Sequence, residues 1–488
     1  MSPFHPTFNR RHFLSRCGTG FGALALEAML RREAAASVEE VPSLPVVDPV
    51  HPFLPRRPHF APRAKSVIFL YMVGGPGQMD TFDYKPLLQK LDGQPVPDAI
   101  HAAAARTRYS TIFKECKNLM ASPFSFQQYG QRGQWVSELF PNVAKHVDDL
   151  CFIHTMQAES NNHAPASYQM HTGETVVGKA SLGSWITYGL GTENQNLPGY
   201  VLLFENGPFG GAGNYSQGFL PSAFQATRLR SGGTPLADLM APAAWAPGQR
   251  DSLDLINRMN LQHRAGRPGV TELDARIASY ELAYHLQSSA LEAGDLDTET
   301  SALRSSYGLD HADADVGKFG RKCLLARRLV ERGVRFVQLY NMIDGNGWDA
   351  HTDLRGNHVT MARQCDQPIA ALLGDLKQRG LLEETLVIWA SEFGRTPMVQ
   401  NVTGRQHNSA GFTVWMAGGG VRPGNIGEMD EIGLLPSGKS YGFPDLHATI
   451  LAALGLDHER LTFTHAGRDE MLTRTAGTGN IIPGVFHS

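Results

Sequence analysis

Acidic and histidine side chains recur in this sequence in short polar stretches that follow apolar runs. "GGPGQMDTFDYKP" carries Asp80 and Asp83, and "SNNHAPASYQMHTG" carries His163 and His171. "NMIDGNGWDAHTDLRGNH" carries Asp344, Asp349, His351, Asp353 and His358. "EFGRTP" holds Glu392 and Arg395, and "GRQHNSAG" holds Arg405 and His407. One Asp-x-His pair means little, because polar loop residues often cap helices or face water. Several acidic or histidine clusters at successive strand ends suit a shared site better. Carboxylate with imidazole is a donor set for zinc or another first-row divalent metal, whereas carboxylates alone favour calcium or magnesium. Arg395 and Arg405 could grip a substrate anion with paired hydrogen bonds, or serve internal ion pairs. The glycines of "GGPGQMD" lack the lysine of a phosphate loop and the spacing of a dinucleotide fingerprint. Gly74, Gly75 and Gly77 are instead expected to make a tight turn that aims Asp80 at the site.

The elements that must position these groups are legible as apolar runs at 66–73, 150–156, 199–204, 334–340, 385–391 and 412–418. They are continuous rather than alternating, as in strands buried on both faces of a mainly parallel sheet. Amphipathic helical patterns at 319–333 and 365–384 end near Gly333 and Gly380, each just before a strand. The alternation predicts a doubly wound α/β fold, a mostly parallel sheet sandwiched by helices, over residues 65–488. In such sheets ligands bind outside the carboxyl ends of the strands, where the polar clusters fall. Residues about 206–312 break the rhythm and are expected to form a helical insertion or cap over the sheet edge. A loop is expected to carry Arg405 and His407.

The chain has 488 residues, 42% hydrophobic and 19% charged, with a net charge of −3. That balance argues against a nucleic-acid partner bound through a basic surface. Absence of CxxC, CxxCH and dinucleotide patterns argues against a redox or nicotinamide enzyme. Residues 1–37 contain paired arginines (Arg10, Arg11), a weakly apolar run with Glu27, and small residues suited to a signal peptidase. This pattern is similar to a twin-arginine (Tat) export signal, which implies the Tat machinery as a partner and a periplasmic or extracellular destination. The run is too short and too polar for a permanent membrane span. Residues 38–64 are Pro-rich and read as an extended arm. Cys151 and Cys323 are expected as buried thiols rather than zinc ligands.

The segments also carry a resemblance. "DQPIAALLGDLKQRGLLEETLVIWASEFG", "FTVWMAGGGVRPG" and "FPDLHATILAALGL" resemble late helix and strand segments of sulfatases. "GGPGQMDTFDYKP", "NNHAPASYQMHTG", "GWDAHTD", "SEFGRTP", "GRQH" and "HAGRDE" together resemble a secreted, sulfatase-like family, domain of unknown function 1501. The resemblance covers roughly residues 60–475, on a set of ordered motifs. It implies the alkaline phosphatase superfamily fold, in which one or two metal ions hold an anionic ester and activate a Ser, Thr or formylglycine nucleophile. By that resemblance Asp80, Asp349, His351, Glu392 and His407 are metal ligands. Phe393 departs from the pattern, where many relatives place a further ligand, so His163 or His358 would supply it. "HAPASYQMHTG" resembles the sulfatase nucleophile motif, with His163 at the nucleophile position and Pro165 in the first turn of a helix. His163 is then a metal ligand, a nucleophile or general base, or a cap. The resemblance implies an exported metal-dependent hydrolase of sulfate or phosphate esters, small or polysaccharide. Zinc comes first among its metals, with calcium, magnesium or manganese after it. The alternative is a non-catalytic binding or scaffold protein that keeps the fold.

Overall fold

The computed structural model describes residues 45, 47–48, 51–110, 118–233, 246–267, 270–342, 345–474 and 479–487. The twin-arginine segment, Cys17, Cys116 and Asp344 lie outside the described residues. The centre is a nine-stranded sheet whose order is Gly424–Ile426, Leu150–Gln157, Phe412–Ala417, Thr385–Ala390, Ser66–Tyr71, Phe336–Tyr340, Tyr200–Leu203 and Thr227–Leu229. The ninth strand, Tyr441–Gly442, pairs in parallel with the end of Leu150–Gln157. Phe412–Ala417 runs antiparallel to both its neighbours, and the other pairings are parallel. This is the mostly parallel sheet that the apolar runs predict.

All six residues of Ser66–Tyr71 are buried, because each face of the strand is covered. Successive side chains point to opposite faces. Ile68, Leu70 and Met72 join one core with the helices Ala314–Glu331 and Leu354–Gln378. Val67, Phe69 and Tyr71 join the other, with His163–Thr172, Leu182–Leu190 and Phe443–Ala453. Cys151, Cys323 and Cys365 are buried free thiols within these cores. Both long helices begin upstream of the apolar patterns that mark them in the sequence.

The 206–312 stretch does more than cover an edge. Thr227–Leu229 joins the sheet against Tyr200–Leu203. The helix Thr271–Gly294 contributes Leu286, Ala290 and Ala293 to the first core. The expected loop around Arg405 and His407 is instead a strand. Gly394–Gln400 and Gly404–Asn408 form an antiparallel hairpin with an irregularity between Arg405 and His407. Its interior is polar and it contains Pro397, so it lacks the apolar run that betrays the other strands.

Candidate metal centre

Two strand ends and the hairpin bring four donors to a common point. His163 opens the helix that follows Leu150–Gln157. Asp349 and His351 lie in the segment after Phe336–Tyr340, and His407 lies on the hairpin. One ligand atom from each of these four residues lies within 4.8 Å of the other three. His351 Nε2 and His407 Nε2 stand 3.0 and 3.1 Å from Asp349 Oδ1, and His163 Nε2 stands 3.2 Å from Asp349 Oδ2. Donors on a tetrahedral zinc at ordinary bond lengths stand about 3.3 Å apart.

The other ring nitrogens decide what faces the centre. His163 Nδ1 lies 2.7 Å from Glu392 Oε1, His351 Nδ1 2.5 Å from Gln400 Oε1, and His407 Nδ1 2.6 Å from the Asn161 carbonyl. Each of these oxygens can accept an Nδ1–H, and in that tautomer the ring offers an Nε2 lone pair to a cation in the cluster, whereas without a cation Nε2 can carry a proton toward Asp349. Three lone pairs and a carboxylate then converge, with His351 Nε2 only 2.9 Å from His407 Nε2. His163 Nε2 is buried, and its one near partner is Asp349 Oδ2 at 3.2 Å, without good hydrogen-bond alignment. A divalent cation satisfies all four donors at once, so the residues fit a metal.

Over residues 64–486 the sequence matches a family described as Protein of unknown function (DUF1501). The chain belongs to the DUF1501 family. No curated protein matches it. Its structural likenesses include the lipoteichoic acid synthase LtaP from Listeria monocytogenes, at 9% identity, covering 86% of this chain and 76% of that one, with a TM-score of 0.35. The PsFucS1 sulfatase from Pseudoalteromonas sp. gives 13% identity over 83% of this chain and 69% of that one, at a TM-score of 0.34. The alkaline phosphatase of the Antarctic bacterium TAB5 gives 11% over 80% and 98%, at 0.32. Superpositions this loose do not bear on substrate or mechanism.

In the DUF1501 chain the surroundings of the four donors fix their charge and geometry. Burial disfavours the Asp349 carboxylate, but His163, His351, His407 and Arg395 overcome it and hold Asp349 well below the usual carboxylate range. Burial also disfavours a proton on His163, but Asp349 and Glu392 outweigh it and raise the metal-free imidazole to about 9. Burial takes His407 the other way, down to about 4. Phe393 stacks on His407 at 4.4 Å between ring centroids, and Phe209 stacks on His163 at 4.2 Å. Phe393 therefore walls the site where the resemblance leads one to expect a further ligand. The His351 side chain is the most open of the four, 32% exposed, so solvent reaches the cluster from that side.

Glu392, expected as a ligand, stands behind one. It is fully buried and bonds His163 Nδ1, while its Oε1 also accepts from the Gly74 N–H at 2.9 Å. Gly74 has φ +107°, and a Cβ there would lie 2.6 Å from the Asp349 nitrogen. The glycine turn thus serves Glu392 and the Asp349 segment; it does not aim Asp80 at the cluster.

Asp80 is not brought to the cluster. Its two carboxylate oxygens accept from Arg405 Nε at 2.8 Å and Nη2 at 3.1 Å, and both side chains are fully buried. The expected substrate-binding roles of Arg395 and Arg405 give way to internal ones for the same reason. Arg405 also donates to the carbonyls of Met120 and Ala121. Arg395 donates to Asp349 Oδ1 at 2.7 Å and to the carbonyls of Gly74, Gly75 and Arg405, with no exposed surface. A guanidinium so enclosed presents nothing to a ligand.

His358 is also elsewhere, buried, with Nε2 accepting from the Gly77 N–H at 3.0 Å. Asp353 caps the helix Leu354–Gln378, and Asp83 pairs with Lys85. His171 donates from Nδ1 to the Ser167 carbonyl and packs against Tyr71. Ser160 Oγ accepts from the Asn162 N–H. Gln400, Phe209 and the Asn161 carbonyl shape the cluster without any pattern in the sequence that marks them.

Proposed function

We propose that this DUF1501 chain is a metal-dependent hydrolase of sulfate or phosphate esters, working at a single centre held by His163, Asp349, His351 and His407. The observation that carries the reading is the convergence of three Nε2 atoms on Asp349, each with its Nδ1 held by an acceptor. The imidazole-rich set favours zinc over calcium, magnesium or manganese. A zinc ion bound there would act as a Lewis acid on an ester oxygen and lower the pKa of an attacking group.

The chain's own residues do the rest. Glu392 fixes the tautomer of His163, and Arg395 fixes the orientation of Asp349. His163 begins a ten-residue helix, whose first N–H groups favour an anion. Phe209 and Phe393 keep water from the inner side, and the His351 side admits substrate. His163 has one nitrogen on Glu392 and the other in the cluster, which supports ligation among its three expected roles. Water is then the attacking group. The paired arginines at 10 and 11 support export through the Tat route to the periplasm or beyond. Among the described residues, no helix is long and apolar enough to cross a membrane.

A second reading, a binding or scaffold protein with a structural metal, is favoured by one feature. Four protein donors fill a tetrahedron, as in structural zinc sites, whereas catalytic sites keep a position open. Metal analysis of protein purified without chelator, followed by assays on aryl sulfates and aryl phosphates, separates the cases. One ion per chain with turnover supports the hydrolase. One ion without turnover of either ester class selects the second reading. No metal after reconstitution with zinc sinks both.

A further inference from the structure

The stretch "HAGRDE" takes no part in the metal cluster, yet it closes a second recess of about 190 Å³. The recess touches Thr172, the last residue of the helix that His163 opens. Ten helical residues span roughly 15 Å, which sets its distance from the metal centre along that helix. One wall is aromatic. Phe219 is held edge-on by Trp185 at 5.9 Å and stacked by His465 at 5.3 Å.

The other wall is cationic. Lys179 Nζ lies 5.7 Å from the Phe219 ring centroid and pairs with Glu470 at 3.1 Å, which neutralises that acid. Arg468 and Arg474 are exposed at the rim, and among the described residues neither has an acidic partner. Against them stands the single carboxylate of Glu174. Phe219 is also stacked by Phe463 at 6.1 Å, so it lines the recess as an apolar wall, and the guanidinium forks beside that wall match a planar or tetrahedral oxyanion carried on a group with an apolar side.

We propose that this recess binds the sulfate, phosphate or carboxylate group of an acidic sugar residue, as a site separate from the metal centre. Its use as a distal subsite for a long saccharide ester rests on the hydrolase reading; the binding itself does not.

The test uses the full chain, with dextran sulfate as probe and unsulfated dextran as its neutral counterpart. Arg468→Gln with Arg474→Gln should weaken dextran sulfate binding about tenfold or more, since both forks are lost. Phe219→Leu should weaken it less while leaving its salt dependence intact. Arg258→Gln with Arg267→Gln removes the same charge from the exposed helix Gln249–Ala265 and the turn just after it, neither of which lines the recess, and should leave binding unchanged. Equal loss in both double variants, undiminished binding in the first, or equal affinity for neutral dextran would each overturn the proposal. Turnover of a small aryl ester is measured in parallel. Its absence from every protein, with binding lost only in the 468/474 variant, removes the hydrolase reading and leaves the recess standing.

Discussion

His163 is the residue on which the metal reading turns, because a proton and a cation compete for its Nε2. Without metal, burial is overcome by Asp349 and Glu392, and the imidazole stays protonated up to about pH 9. His407, held near 4 by burial, is neutral already. Zinc binding near pH 7.5 should therefore release about one proton per ion. Calorimetry in buffers of different ionisation enthalpy reads that number directly, and a value near zero removes His163 from the ligand set. Glu392→Gln keeps the shape but weakens the hold on Nδ1, so zinc affinity should fall about 10–100-fold. Asp80 and Arg405 behave differently, since they form a sealed pair. Arg405→Met alone should destabilise the fold by about 3–5 kcal/mol by leaving a buried carboxylate unpaired, and adding Asp80→Asn should recover part of it. Denaturant titration decides this, with zinc content as a second readout. The family resemblance marked Asp349, His351 and His407 as ligands, together with Asp80 and Glu392. It could not distinguish a carboxylate that faces a metal from one that faces an arginine, because both lie at strand ends in polar segments.

At the scale of elements, the hairpin that carries His407 has an unusual tip. Asn401 has φ 47° and Val402 φ 74°, and Val402 is 87% exposed. A β-branched residue in the left-handed region costs roughly 1–2 kcal/mol, while glycine there loses about 0.5–1 kcal/mol through the unfolded chain. Val402→Gly should thus stabilise the protein by about 0.5–1 kcal/mol and leave zinc affinity unchanged, because Gln400 still holds His351. A lower unfolding midpoint would show that the tip is not strained. The six apolar runs that the sequence displays all became strands because burial on both faces demands apolar side chains. The hairpin escaped notice because its buried side chains, Arg395, Arg405 and Asn408 among them, are satisfied by hydrogen bonds instead. Gly424–Ile426 and Tyr441–Gly442 are too short to leave a pattern at all.

At the largest scale the described residues are knit by charge as well as by their apolar cores. Glu299, in the stretch read from the sequence as an insertion, accepts from Arg327 at 2.6 Å and Arg328 at 2.5 Å. Arg327 in turn pairs with Asp375 at 2.9 Å, so the group joins the insertion to both long helices of one face. Arg327 is nearly unexposed, and an arginine there needs its carboxylates. Burial would raise the Glu299 carboxyl, but Arg327 and Arg328 overcome it and leave it below its ordinary value of 4.5. A carboxylate depressed by folding stabilises the native state above its unfolded pKa, and that contribution is lost as pH falls through the lower folded value. The stability difference between wild type and Glu299→Gln should then be constant from pH 7 to about 5 and shrink below about 4.5. Urea midpoints across that range measure it. A difference that does not change with pH would mean the ion pairs do not hold the insertion to the helices, and that its apolar contacts through Leu286, Ala290 and Ala293 are sufficient.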